Sequence, residues 1–386
     1  MNKKPRFILI LLYIVFLIGL TEGLARLVFS NSKLSDRLWA YEDLSWRRSW
    51  INRHNNTGME VYYTFDIYDS TKGWISKPNI KDMQVFDNKV LNTNSKGFRG
   101  KTEYSYNKDQ DKIRILIVGD SHTFGEEVSD NETYPYYLQE IIPNAEVMNL
   151  GMHGYGHDQM LIFLKEEGIK YNPDIIILGY IHYNMRRNML NFRDYAKPKF
   201  ELNRKEELRL TATPVPPPEE TLKWDWTRPR IVDIFSIIHY KLRLRSGLYS
   251  KEKDKLTTAI LNEIITLADS IHAIPIFVYL PTTPEITVGD LLTPGEKYLS
   301  SVCEANDIVR YISTRPYFIE QLNKNVIFKE KGHWGSVGNL AIAEAIKHYL
   351  VDGDYVTLRD NLEQSDISEP NKMLQEVPLT ALHHSP

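Results

Sequence analysis

Ile113-Arg114-Ile115-Leu116-Ile117-Val118, followed at once by Gly119-Asp120-Ser121, is the stretch on which the fold turns. A near-continuous β-branched and leucine run of this length is the pattern of a strand buried on both faces, as in a parallel sheet. Gly119, Asp120 and Ser121 then end the strand and open a helix. The serine hydroxyl is expected at the carboxyl edge of the sheet, beside a helix amino terminus whose N–H groups lack intrahelical acceptors. An oxyanion formed there is stabilised, although Asp and Ser also serve simply as helix caps.

Working outward, the same cycle recurs. Tyr134 to Ile142 repeats apolar positions at helical spacing, Val147 to Leu150 is a short strand ending in Gly151, and Gln159 to Gly168 is helical. Ile175 to Leu178 is a third strand, ended by Gly179. A helix from Lys253 to His272, a strand from Ala273 to Leu280 and a helix from Asn339 to Leu350 complete the pattern. Alternation of this kind predicts βαβ units, a parallel sheet with helices on both faces, and an active-site edge at the carboxyl ends of the strands.

The remainder divides by composition. Lys3, Lys4 and Arg6 precede an apolar run from Phe7 to Leu20, which predicts an uncleaved transmembrane anchor over residues 1–30, with a cleaved signal peptide as the alternative. The positive flank places the body outside the cytoplasmic membrane. Residues 31–108 are rich in scattered aromatics and turn signals such as Asn94-Ser95-Lys96-Gly97, and Glu60 to Phe65 alternates; a small β-rich segment is expected. The main domain runs over 109–350. Pro214, Pro216, Pro217, Pro218 and Pro229 mark an insertion over about 197–230, read as a semi-rigid surface loop or lid, with a strand-like Glu207 to Thr211 before them. Periodicity fades in the tail, 351–386, which is expected to lack order.

With 386 residues, 47 Lys and Arg against 50 Asp and Glu, and a formal net charge of −3, the chain lacks the basic footprint of a nucleic-acid binder. Its single cysteine, Cys303, excludes an internal disulfide and a cysteine metal cluster. No cofactor is expected. A metal site drawing on His153, His157 and Asp158 is the minor alternative, since their loop spacing is loose and no carboxylate cluster accompanies them.

A serine nucleophile needs a base. His333 lies between Gly332 and Gly335 just before the last helix, and Glu330, three residues upstream, can accept from its Nδ1–H and fix the tautomer. The loop from Asn149 to Gln159 carries Gly151, Gly154 and Gly156, which let a backbone N–H approach a reacting oxygen closely.

Gly119-Asp120-Ser121-His122-Thr123-Phe124-Gly125, the Asn149 loop and Glu330-x-x-His333, in this order, resemble the SGNH/GDSL hydrolase family in its membrane-anchored bacterial form. The resemblance covers about residues 112 to 350 and implies a three-layer α/β/α flavodoxin-like sandwich. It also implies Ser121 as nucleophile and one oxyanion donor, Gly119 and Asp120 as the structural part of the motif, and Gly154 as a second oxyanion donor, with Gly151 the spare candidate. The family's Asp before the histidine is here Glu330. Its third block is irregular: the position of the oxyanion Asn falls on Tyr183, with Asn184 one residue later and His182 or Asn188 as substitutes. Either a one-residue shift brings the Asn184 amide into the hole, which is the expectation, or that donor is missing.

The implied activity is a membrane-anchored serine esterase or deacylase acting on O-acyl esters, O-acetyl groups of a surface polysaccharide among them. The bilayer is a partner through the N-terminal helix. Two alternatives stand beside it: an O-acyltransferase with the same nucleophile, and a non-catalytic glycan-binding protein with a degraded site.

Overall fold

The computed structural model describes residues 4–30, 42–57, 61–287, 291–323 and 332–352. Helix α1 spans Lys4–Ser30, and its segment Phe7–Ser30, of mean hydropathy 2.5, is long and apolar enough to cross a membrane. Helix α2, Glu42–Thr57, follows. Two short antiparallel hairpins, Asp66–Asp69 with Gly73–Ser76 and Met83–Val85 with Lys89–Leu91, lead into the sheet.

Five parallel strands form that sheet: β1 (Ile113–Gly119), β2 (Ala145–Gly151), β3 (Ile175–Tyr180), β4 (Ile274–Tyr279) and β5 (Arg310–Ser313). Their spatial order is 5-4-3-1-2, and every neighbouring pair is parallel. Read from the other edge this is the flavodoxin-like order 2-1-3-4-5, whose switch point lies between β1 and β3. The three-layer α/β/α sandwich expected above is therefore the fold.

Between and after the strands run α3 (Ser121–Phe124), α4 (Tyr134–Ile141), α5 (His157–Glu166), α6 (Asn184–Arg187), α7 (Pro218–Thr227), α8 (Arg230–Arg245), α9 (Leu248–Ser270), α10 (Pro294–Glu304), α11 (Arg315–Asn323) and α12 (Ser336–Lys347). Strand periodicity of two splits β1 between the two layers. Leu116 and Val118 pack with α5, α9 and α10, through residues such as Leu161, Ile264 and Leu299. Ile115 and Ile117 face α4, α11 and α12, through Leu138, Phe318 and Ile342.

Three expectations need correction. Residues 42–57 are helical, not β. Asp43, Leu44, Arg47, Trp50 and His54 are all buried, at spacings that share one helical face, and Glu42 and Asp43 favour the first turn. Charged residues on the buried face hide the amphipathic pattern. Second, the alternation up to Phe65 forms bends and turns, and the strand starts only at Asp66. Third, the proline-rich insertion is not a polyproline-like loop throughout but carries regular structure of its own. Lys199–Leu202 and Leu208–Thr211 pair as a hairpin, Pro218 starts α7, and Val215 is buried, its N–H donating to the Ser70 carbonyl at 2.7 Å. Trp50, Trp74 and Phe98 join the same core as the sheet, so the chain before β1 packs into the sandwich.

Candidate active site

Asp120 caps α3: its Oδ1 accepts the His122 N–H at 3.0 Å, which fixes Ser121 as the first helical residue. The other carboxylate oxygen accepts from Asn184 Nδ2 at 3.1 Å and from Arg187 at 3.2 Å, both on α6 beyond β3. Burial opposes charge on Asp120, but His122, Arg187 and these donors outweigh it and hold its pKa below the ordinary value. Gly119 ends β1, and its carbonyl accepts the Met152 N–H at 3.1 Å.

The strand-ending Asn149 ties β2 to the turn that carries Ser121. Its Nδ2 donates to the Thr123 carbonyl at 2.9 Å and its Oδ1 accepts the Gly151 N–H at 2.9 Å. That bond commits the N–H of Gly151, the spare oxyanion candidate. A Cβ on Gly151 would lie 2.3 Å from the Phe124 nitrogen, so only glycine lets α3 fold down onto β2. Gly154, further along the loop, has φ +71° and packs against Asp194 and Trp74.

His333 Nε2 lies 2.8 Å from Ser121 Oγ, joining residues 212 positions apart. Its loop is anchored on the far side by Trp334, which is buried and donates from Nε1 to the Pro281 carbonyl at 3.1 Å. Asn339 ties the loop to α4, donating to the Trp334 carbonyl at 2.9 Å and accepting the Tyr134 N–H at 3.0 Å. Glu330 lies outside the described residues. Among the described residues, the carboxylate that faces Nδ1 of the imidazole is Glu127, which sequence reasoning missed. Its Oε1 lies 3.6 Å from His333 Nδ1, just beyond hydrogen-bond reach, and its Oε2 accepts the N–H groups of Gly332 at 2.8 Å and His333 at 3.0 Å. Burial works against the Glu127 charge, but those two N–H donors and His333 prevail and keep its pKa low.

Glu127 is held at φ +67° by a turn that Arg99 clamps, donating to the carbonyls of Gly125 at 3.3 Å and Val128 at 2.8 Å. Its neighbour Glu126 is buried, with Oε2 3.5 Å from His333 Nε2 and 3.5 Å from the Tyr63 hydroxyl. Burial, with Asp194 nearby, pushes its pKa up to about 8, so it is protonated at neutral pH. Burial also lowers His122, to about 4, and its ring lies 4.7 Å from that of His333 as a neutral neighbour. His333 itself is lowered by burial, against the pull of Asp120 and Glu127. It is a neutral base at neutral pH. The paired glutamates directly after Gly125 were the signal available in the sequence.

The irregular third block resolves as follows. Tyr183, at the expected oxyanion position, is exposed and donates to Glu42 at 2.9 Å, away from the serine. Asn184 is buried next to the nucleophile motif; one of its amide protons goes to Asp120, and its Oδ1 has no hydrogen-bond partner. His182 bonds Tyr180 at 3.2 Å, and Asn188 bonds His157 and Thr257 at 3.2 and 2.9 Å, so neither stands at the site. His153, His157 and Asp158 do not converge. His153 faces Asp66 at 3.1 Å, His157 bonds Asn188, and Asp158 pairs with Lys197.

No protein-family model matches the chain, and no curated protein does. Among solved structures, it is similar to a putative lipolytic protein of the G-D-S-L family from Desulfitobacterium hafniense DCB-2, at 14% identity over 61% of this chain and 99% of that one, with a TM-score of 0.37. It is likewise similar to Axe2, an acetylxylan esterase from Geobacillus stearothermophilus, at 14% identity over 63% and 97% of the two chains, with a TM-score of 0.37. A G-D-S-L family lipolytic protein from Veillonella parvula DSM 2008 gives 14% identity, 62% and 97% coverage and a TM-score of 0.37.

Proposed function

We propose that the chain is a serine esterase or deacylase of the SGNH/GDSL type, held to the cytoplasmic membrane by α1 with its body outside, and acting on O-acyl esters such as the O-acetyl groups of a surface glycan. The observation that carries the reading is the 2.8 Å approach of His333 Nε2 to Ser121 Oγ at the carboxyl edge of a flavodoxin-like sheet. The same contact counts against a purely binding role with a degraded site.

In this mechanism Ser121 Oγ attacks the ester carbonyl while His333 Nε2 takes its proton. The imidazolium so formed is stabilised by Glu127, and the 3.6 Å gap to Nδ1 closes as charge develops. The N–H of Ser121, without an intrahelical acceptor by its place at the helix start, the Gly154 N–H and the second amide proton of Asn184 are the donors assigned to the tetrahedral oxyanion. His333 then protonates the departing alkoxide. Water, activated by the same histidine, hydrolyses the acyl-serine and regenerates the free hydroxyl.

The test is release of p-nitrophenol from p-nitrophenyl acetate by the full chain in detergent, beside Ser121→Ala and His333→Ala. Turnover lost in both variants, with a fluorophosphonate label on Ser121, is expected. Equal turnover in the folded Ser121→Ala protein would overturn the assignment.

A further inference from the structure

Helix α8 is apolar on two sides. Asp233, Ile237 and Tyr240 face inward, and Ile237 packs with Phe29 of α1 and Leu44 of α2. On the other side Ile231, Phe235, Ile238 and Leu242 fall within an arc of about 60° at ~100° per residue. Phe235 is 65% exposed, Ile238 49% and Leu242 59%. A helix on a water-facing surface carries polar residues there. Just before α8, Trp226 is 81% exposed, more than any other large apolar side chain among the described residues.

The position of this surface relative to α1 is fixed by hydrogen bonds. Both carboxylate oxygens of Glu22 cap α8, accepting the N–H groups of Arg230 and Ile231 at 3.0 Å each. Arg26 pairs with Glu22 at 2.7 Å and reaches the Arg228 carbonyl at 3.4 Å. Helix α8 thus starts level with Glu22 and passes Phe29. From Phe7 to Glu22 α1 rises about 22 Å, and a hydrocarbon core of ~30 Å entered at Phe7 ends near residue 27. The corner between α7 and α8 therefore lies within about 8 Å of the outer boundary of the core, next to the interfacial zone where tryptophan is favoured, with Arg228 and Arg230 beside it.

The geometry points to this corner and the outward stripe of α8 as a second membrane contact, an interfacial dock seating the body on the leaflet from which α1 emerges. It rests on the reading of α1 as a membrane span, and continuity with that span selects a phospholipid bilayer as the occupant. Anchor and dock together give the body two points of attachment to the bilayer and so fix its orientation.

Site-directed spin labelling of the full chain in phospholipid nanodiscs tests it. Cys303 is buried, so nitroxides go to Trp226→Cys, Phe235→Cys and Leu242→Cys, with Ile14→Cys as the anchor probe and Lys205→Cys as a water-exposed reference. The expected result is an oxygen-to-nickel accessibility ratio several-fold above the reference at 226 and 235, declining toward 242. Reference-like ratios at 226 and 235 with a lipid-like Ile14 site would overturn the dock while leaving the anchor standing. A water-like Ile14 site would remove both. Dipolar broadening at 235 that vanishes on mixing with unlabelled chain would assign the stripe to a second copy and overturn the proposal.

Discussion

Glu127 holds His333 by the backbone and faces it by the ring: one carboxylate oxygen accepts the His333 N–H at 3.0 Å, and the other lies 3.6 Å from Nδ1. Among the described residues, the carboxylate that faces Nδ1 thus comes from the turn that follows Ser121, six residues after it. Glu127→Gln keeps the shape, and its amide oxygen can still accept from the loop, but it withdraws the charge that stabilises the imidazolium. We expect a loss in kcat on the order of 10²–10⁴ with KM little changed. Glu330→Gln assayed alongside distinguishes the two carboxylates: a large loss there, with Glu127→Gln near full activity, would return the role to Glu330.

The pH profile follows from the histidine. Burial, though opposed by Asp120 and Glu127, leaves His333 below its ordinary 6.5, and only the neutral ring can take the serine proton. As pH rises through that lowered value the base is released, so kcat/KM should climb to a plateau with its acid midpoint below 6.5. In Glu127→Gln the midpoint should move lower still, because a charge that favoured protonation is gone. A midpoint above 6.5 in the unmodified chain would contradict this.

Glu126 makes an opposite prediction, on stability. Its folded pKa of about 8 lies above the ordinary 4.5, so the folded state binds the extra proton between those values. The associated stability is complete below 4.5 and is lost as pH rises through about 8. Glu126→Gln, which cannot ionise, should therefore gain in Tm relative to the unmodified chain as pH increases across this window. A constant Tm difference would show that Glu126 is charged in the fold.

Gly151→Ala should cost about 1–3 kcal/mol of stability, as expected for an over-packed core position. The added Cβ meets the Phe124 nitrogen at 2.3 Å and the Thr123 carbonyl carbon at 2.6 Å, backbone atoms that can yield only by moving α3. Turnover should fall further than the stability loss accounts for, since Ser121 moves with that helix. Denaturant unfolding and single-turnover assays at equal folded fraction separate the two effects.

Much of the sandwich was legible because its strands are uninterrupted apolar runs and its helices repeat at 3.6 residues. Ile113–Gly119 and Ile175–Tyr180 announce themselves in this way. Helix α2 did not, because Asp43 and Arg47 occupy its buried face and find tertiary partners: Arg47 pairs with Asp225 and Asp233, and Asp43 accepts the Asn191 N–H at 3.0 Å. At the site, Ser121 and His333 could be read from local context, a strand end and a glycine loop. The Glu127 contact could not be read, because its partners, Gly332 and His333, lie 205 and 206 residues away and only the closed sandwich brings them together. The hydrogen bond from Asn184 to Asp120 was equally invisible, since a one-residue shift in the third block depends on how α6 starts.

The turn from Ser121 to Glu127 also sets an order of assembly. Ser121 and Glu127 are made within seven residues of each other, early in the main domain, whereas the Gly332 and His333 N–H groups that hold the Glu127 carboxylate come last. His333 follows 212 residues after the serine, behind four further strands of the sheet. A chain interrupted before Gly332 would carry the serine and the acid but no base. On the proposed mechanism, the emerging polypeptide stays chemically silent toward esters until the loop that carries His333 docks.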